Sequence, residues 1–273
     1  MNQNLKRLKE IELNMLISFD EICQKHNLNY FLAGGTFLGA IRHKGFIPWD
    51  DDIDIGMPRK DYEKFCEYAK KELPNNLVLQ NFETEPNCGL VFAKIRKKGT
   101  TLSEVYSHHI DMSQGVWIDI FPFDNVPDDE QERNKMKNKV LFYKNLYIIK
   151  CGYKNPKPDS TLYKIMYFIC KIIVKFISKD WLICKLKSLM TKYNDTQTKY
   201  VYPYGGAYPK KDMLEYDLVS HLEKREFEHH EFLTCSDYDK YLKQLYGDYM
   251  QLPPEDKRTS GMHNIYEINI EGE

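Results

Sequence analysis

The stretch YFLAGGTFLGAIRHKGFIPWDDDIDIGMPR, residues 30–59, decides how the rest of the chain is read. Tyr30 to Ala33 is a short apolar run that reads as a strand and meets Gly34-Gly35. A glycine pair at a strand end lets backbone come close to a ligand, because no Cβ stands in the way. Thr36 has the character of a helix N-cap, followed by a helical turn through Leu38, Ala40 and Ile41. A helix starting there points unpaired N–H groups at whatever sits on the glycines, which suits a phosphate. Arg42, His43 and Lys44 add positive charge one or two turns on. For His43 and Lys44, phosphate contact and simple complementation of the helix dipole stand side by side.

Pro48-Trp49-Asp50-Asp51-Asp52-Ile53-Asp54-Ile55-Gly56 follows. Along a strand side chains alternate faces, so Asp52 and Asp54 share one face while Ile53 and Ile55 turn to the other, toward a core. If the extended run reaches back far enough, Asp50 joins them and Asp51 is turned away. Like charges stacked on one face repel. A divalent cation resolves that repulsion, and carboxylate oxygens are what Mg²⁺ takes. A solvated acidic turn is the competing reading. The strand-forming Ile residues and the preceding Gly-rich loop weigh against it.

The run from Gly34 to Ile55 resembles the signature of the LicD family, bacterial phosphocholine transferases related to the fukutin proteins, within the nucleotidyltransferase-fold superfamily. The likeness extends more weakly to Trp117–Asp124 and to Tyr246-Gly-Asp-Tyr-Met-x-Leu-Pro-Pro254. It implies an α/β (α+β) fold: a small mixed sheet flanked by helices, with a helical insertion. It implies Mg²⁺, or Mn²⁺, on Asp52, Asp54 and a third carboxylate, with Asp50 alongside. It further implies CDP-choline as donor, a sugar hydroxyl of a cell-surface glycan (teichoic acid, lipopolysaccharide or capsule precursor) as acceptor, and CMP as product. Gly34, Gly35 and Thr36 would cradle the nucleotide phosphates, Arg42 and Lys94 would take up developing charge, and Arg258 and His263 would close over the donor phosphate. Transfer of CDP-linked ribitol or glycerol phosphate, or NTP-dependent nucleotidyl transfer, would use the same metals. A non-catalytic binding subunit is the alternative from another class, and it has no need of mutually repelling carboxylates.

Asp119 is the candidate third carboxylate. It lies in Gly115-Val-Trp-Ile-Asp-Ile-Phe-Pro-Phe-Asp124, which reads as a short buried strand started by Gly and stopped by Pro122. Among Trp117, Ile118, Ile120 and Phe121 an unpaired carboxylate would be costly, so it must meet a cation or a donor. The fold family supplies the cation; backbone N–H groups are the other answer. Asp124, past the proline, reads as a cap of the next turn. Leu77–Phe82 and Leu90–Arg96 read as strands, with Phe92, Lys94 and Arg96 on one face of the second. Lys94 is the cation kept for pyrophosphate.

The 273 residues balance 39 basic against 40 acidic side chains, without the basic excess of a nucleic-acid binder. Seven scattered cysteines, odd in number and without Cys-x-x-Cys, point away from a disulfide framework and toward a reducing cytoplasm. Charges interleaved through residues 1–16 are unlike a signal peptide. Residues 3–26 and 61–72 have helical periodicity. From Asp128 to about Asn194 the chain turns helical. Its stretch 161–190 is mostly apolar, with Lys164, Lys171, Lys175 and Lys179 on one side. It is too charged to span a membrane. A core-packing helix pair with a basic outer face is the favoured reading, and an interfacial helix on the inner, anionic face of the cytoplasmic membrane is the alternative. Tyr200–Tyr208 reads as an aromatic loop which, with Trp49 and Trp117, could cage a choline. Arg225–Glu228 reads as a strand with Glu223 and Glu228 as surface charges, Tyr238–Met250 as a helix, and the tail from Tyr266 as frayed. The organisation expected is a catalytic core over 1–127, a helical region over 128–198, and a C-terminal cap over 199–273 that completes the site.

Overall fold

In the computed structural model, residues 3–154, 160–206, 211–258 and 265–270 are described. Helix α1 (Gln3–Lys25) leads into β1 (Phe31–Leu32), α2 (Gly34–His43), β2 (Asp54–Pro58) and α3 (Arg59–Glu72). Strands β3 (Leu77–Gln80), β4 (Ala93–Lys97), β5 (Thr101–Glu104) and β6 (Trp117–Val126) follow, then helices α4 (Glu130–Lys150), α5 (Thr161–Ile173) and α6 (Lys179–Met190). The last part holds β7 (Tyr200–Tyr202), β8 (Leu214–Glu215), α7 (Tyr216–Ser220), the hairpin β9 (Leu222–Phe227) and β10 (His230–Cys235), α8 (Tyr238–Tyr246) and β11 (Ile265–Asn269).

The main sheet runs β1-β2-β6-β4-β3, with β7 on the far end of β6 and β8 beyond it. Among the described residues only the β2–β6 pair is parallel, and the other pairs are antiparallel. This is the mixed sheet flanked by helices that the sequence implies. Alternation along the strands sorts it into two faces. Ile55, Ile120 and Ala93 stand in register across β2, β6 and β4, and all are fully buried. They share one core with Leu8, Met15 and Phe19 of α1 and Phe65 of α3, where the Phe19 and Phe65 rings lie 4.6 Å apart. Removing one such phenylalanine would cost about 3–5 kcal/mol. With that face filled, residues of the opposite parity are left to line the site.

Several local expectations are corrected. Thr36 is not the N-cap: Gly34 takes φ +52°, the chain turns directly from β1 into α2, and the cap position falls on Ala33. Strand β6 does not stop at Pro122 but runs to Val126. The β4 ladder ends at Ile120 and the β7 ladder begins at Asp124, so the missing N–H of Pro122 falls in the gap between them. Tyr200–Tyr202 is strand rather than loop, and Tyr204 is buried with Tyr202 in a second core formed largely by α4 and α6; Tyr208 lies outside the described residues. The tail is not frayed from Tyr266, since Ile265–Asn269 pairs with Thr101–Glu104. Glu228 is no free surface charge: at the β9–β10 turn its Oε1 accepts the Phe46 N–H at 3.0 Å. The favoured packed helix pair holds only for α6, which buries Leu182, Leu186 and Met190. Helix α5 buries none of its residues. No helix among the described residues is long and apolar enough to cross a membrane.

Candidate active site

The β2–β6 register sets Asp54 opposite Asp119, and the β6–β4 register sets Asp119 opposite Lys94. One residue out of step with the Ile55–Ile120–Ala93 row, these three form a polar row on the other face. Lys94 Nζ lies 2.9 Å from Asp119 Oδ1. The same ammonium lies 4.2 Å from the centre of the Trp117 ring, whose negative π-face favours a cation. The row is held tightly by backbone: Asp119 N–H donates to Ile53 O at 2.9 Å, and Ala33 N–H to Asp54 O at 2.9 Å. Thr36 Oγ1 accepts the Asp54 N–H at 2.9 Å, so this residue positions the strand rather than opening the helix.

The glycine pair presses against these carboxylates. A Cβ on Gly34 would sit 2.9 Å from Asp54 Oδ2, and one on Gly35 2.6 Å from Asp50 Oδ2. Gly34 N–H donates to the Tyr241 hydroxyl of α8 at 3.0 Å, tying the C-terminal segment to the site. A cavity of about 260 Å³ opens over the row. Its walls include Asp52, Asp54, Lys94 and Asp119, with Phe92, Phe121, Phe123 and Tyr241 as aromatic faces. Gly205 and Gly206 complete a rim together with Glu104 and Asp212.

Asp50 and Asp51 depart from simple alternation. Strand β2 starts only at Asp54, and Asp50 N–H donates to Ile47 O at 3.0 Å in a turn set by Pro48-Trp49. Carboxylate oxygens of Asp50, Asp51 and Asp52 therefore approach within 4.8 Å of one another, so Asp51 is not turned away. Asp52 faces both this cluster and the cavity. Burial, then the charges of Asp50, Asp51 and Asp119, push Asp52 up to about 8. Burial, then Asp51, raises Asp50 to about 6. Burial, then Asp52 and Asp119, lifts Asp54 well above the usual carboxylate range. Asp119 is raised by burial, with Lys94 opposing. The site is an all-oxygen set of crowded carboxylates, with buried Lys94 against Asp119 and buried Lys9 near Asp50 and Asp51, and that set suits a hard divalent cation.

Arg42 and Arg258 do not line the cavity. Arg42 Nη1 donates to Tyr249 O at 2.8 Å, Arg258 Nε donates to Pro253 O at 2.8 Å, and the Arg258 guanidinium lies 5.6 Å from the Trp49 ring centre. The two cations interact with one another, and Arg42 also feels Asp50, so both stand at the Asp50 end of the site. His263 lies outside the described residues. Trp49, Trp117, Tyr202 and Tyr204 make no choline cage. The first two carry Arg258 and Lys94, and the tyrosines are buried in the second core. Asp124 caps no turn: Arg59 Nε and Nη2 donate to its two oxygens at 2.8 and 2.6 Å, and Asn194 Nδ2 donates to Oδ1 at 2.7 Å.

Residues that sequence reading did not single out come from α1, β5 and the segment before β8. Buried Lys9 Nζ donates to the carbonyls of Ile47 and Pro48, at 2.8 and 3.2 Å, and so anchors the turn that delivers the aspartates. Glu12, one helical turn on, is 1% exposed and its Oε2 has no hydrogen-bond partner. A charged pair inside an amphipathic stripe was the available signal. Glu104 and Asp212 carry no local signal, since each reaches the cavity from a distant element.

A family profile described as "LicD/FKTN/FKRP, nucleotidyltransferase domain" matches residues 27–156, which contain the whole carboxylate row and the glycine pair. The lipopolysaccharide cholinephosphotransferase LicD of Haemophilus influenzae is 30% identical over 281 residues, covering 97% of this chain and 98% of that protein. The human ribitol 5-phosphate transferase FKRP is 29% identical over 102 residues, 37% of this chain and 18% of its own length. Mannosyltransferase regulator 4 of Saccharomyces cerevisiae is 25% identical over 124 residues, 43% of this chain and 10% of that protein. Likeness over nearly the full length of both chains, with a family profile that spans the strand pair carrying Asp54 and Asp119, makes this protein a transferase of the LicD family.

Proposed function

We propose that the protein is a Mg²⁺-dependent phosphotransferase that moves phosphocholine from CDP-choline to a sugar hydroxyl of a cell-surface glycan or its lipid-linked precursor, releasing CMP. The observation that carries this reading is the Asp54–Asp119–Lys94 row beneath the Gly34-Gly35 turn. Support for the donor comes from the near-full-length likeness to a cholinephosphotransferase and from the aromatic walls Phe92, Phe121 and Tyr241. Aromatic faces attract a quaternary ammonium.

Asp52, Asp54 and Asp119 would hold the cation, with Asp50 beside them; Mn²⁺ meets the same donor set. When bound, the ion would neutralise charge on the pyrophosphate and polarise the phosphorus under attack. The chain's own residues do the rest. Gly34 and Gly35 let the start of α2 approach the phosphates without a Cβ between. Thr36 keeps Asp54 in place by accepting the Asp54 backbone N–H on its hydroxyl oxygen. Asp119 accepts the proton of the acceptor hydroxyl as its oxygen bonds to the choline-bearing phosphorus and the bond to CMP breaks. Lys94 holds Asp119 in position and shares the charge that develops. Arg42 and Arg258, at the Asp50 end, would meet the nucleotide side of the donor. The seven free cysteines suit a reducing cytoplasm.

The likeness to a ribitol 5-phosphate transferase favours one second reading, a CDP-linked polyol phosphate as donor. Incubation with Mg²⁺ and CDP-choline, CDP-ribitol, CDP-glycerol or CTP, followed by ³¹P NMR, separates the two. CMP formed from CDP-choline, and none with Asp54→Asn, is the expected result. CMP from CDP-ribitol alone would move the assignment to the second reading. Pyrophosphate from CTP would make the chain a nucleotidyltransferase, and silence with every donor and a glycan acceptor would favour a binding subunit.

A further inference from the structure

Helix α5 is amphipathic in the wrong sense for a packed helix. None of its residues is buried. Leu162, Ile165, Phe168, Ile169 and Ile172 are 69%, 53%, 64%, 50% and 45% exposed, and Phe176, one turn beyond, is 86% exposed. At 100° per residue, positions 162, 165, 169 and 172 share one side, with 168 at its edge. The opposite side turns toward the protein, where Tyr167 donates its hydroxyl to Tyr153 O at 2.5 Å and Val174 is buried. The tyrosine side therefore packs and the aliphatic side faces outward. Lys164 and Lys171, seven residues apart, lie together at one margin of the apolar stripe, and both α5 and its extension to Phe176 lack any acidic residue.

The surrounding charge is equally one-sided. Residues 133–192 hold fifteen Lys and Arg against two Asp, a net of +13, in a chain whose total is −1. The remainder of the protein is therefore acidic at −14 and the basic charge is concentrated on this helical region. Nucleic acid would answer the charge and leave the stripe uncovered. A second copy would cover the stripe but bring two strongly basic surfaces together. An anionic bilayer answers both, with the aliphatic stripe among acyl chains and the lysines at the headgroups. At about 20 Å the helix is shorter than the ~30 Å hydrocarbon layer, so it lies in the plane rather than crossing it.

We propose that α5, with its extension to Phe176, is an interfacial helix that docks this protein on an anionic lipid surface. The inference does not depend on which group the active site transfers. Flotation of the full chain with vesicles tests it, using phosphatidylcholine alone or phosphatidylcholine with phosphatidylglycerol, at 0.1 and 0.5 M salt. Binding to the anionic vesicles is expected to be at least about tenfold stronger than to the neutral ones and to weaken at high salt. The Ile165→Asp/Phe168→Asp variant should lose at least about tenfold in vesicle binding. Lys164→Gln/Lys171→Gln should lose about fivefold per lysine. Because these side chains are exposed, both variants should melt with the wild type and hydrolyse or transfer soluble donor at its rate. Failure of the wild type to float with anionic vesicles, or variants that float equally well, would overturn the proposal. So would a vesicle-free dimer, seen by sedimentation, that Ile165→Asp/Phe168→Asp converts to monomer.

Discussion

Asp54 and Asp119 stand opposite one another across the parallel β2–β6 strand pair, with Lys94 next in the row. Like charges in register destabilise a ladder, and nothing in the folding of β2 and β6 calls for them. Asp54→Asn keeps the shape and removes one charge. Its turnover should fall by at least about 10²–10³-fold, while its thermal midpoint holds or rises, as expected where a site is strained for activity. Steady-state CMP release and a melting curve on the same sample check both halves. Turnover within a few fold of wild type would remove Asp54 from the catalytic set.

Arg59 and Asp124 form a bidentate pair at 7% and 0% side-chain exposure, joined by Asn194. This pair ties α3 and β6 to the segment after α6, and Asp124 lies further along β6 than Asp119. Asp124→Ala strands a buried guanidinium and should cost about 3–5 kcal/mol in urea-induced unfolding. Asn194→Ala should cost about 1–2 kcal/mol, a hydrogen bond to a charged group. An Asp124→Ala variant as stable as wild type would mean that water reaches Arg59 freely.

The two glycines should respond differently to alanine. Gly34 has φ +52°, where an L side chain is strained, so Gly34→Ala should lose about 1–2 kcal/mol of stability and most activity. At Gly35 the new methyl meets only the carboxylate end of Asp50, a side chain able to swing aside. Gly35→Ala should therefore leave stability nearly unchanged and act on the Mg²⁺ and donor concentration dependence. Equal destabilisation by both substitutions would contradict this division.

Stability should depend on pH with a definite sign. Asp52, lifted to about 8, and Asp50, at about 6, hold protons more tightly folded than unfolded, and Asp54, Asp119 and Glu12 are raised in the same direction by burial first. Unfolded aspartate titrates near ~4. Between about pH 4 and 8 the folded chain therefore binds more protons, and its stability falls as pH rises. The thermal midpoint in EDTA should drop from pH 5 to pH 8, and millimolar Mg²⁺ at pH 8 should restore it. A metal-free midpoint that climbs over this range would refute the crowding of unpaired carboxylates.

Residues 30–59 alone were enough to read a strand, a glycine turn, a helix and the strand that carries Asp54, though not that Asp50, Asp51 and Asp52 lie ahead of it, because period-two alternation and glycine chemistry act over a few neighbouring residues. The buried strand around Asp119 was legible for the same reason, a lone carboxylate in an apolar run. Pairing was not legible locally. Whether Asp119 meets Asp54, whether Asp124 caps a turn or accepts Arg59, and whether residues 265–269 fray or pair with β5 are settled by contacts between segments far apart in the chain. Helix α5 makes the point most plainly. Its apolar periodicity specifies an amphipathic helix, but the direction in which the stripe faces is decided by which side docks on the rest of the protein, and here the tyrosine side wins. Local sequence sets what each segment can bury; only the assembled fold determines which of those surfaces finds a partner within the chain.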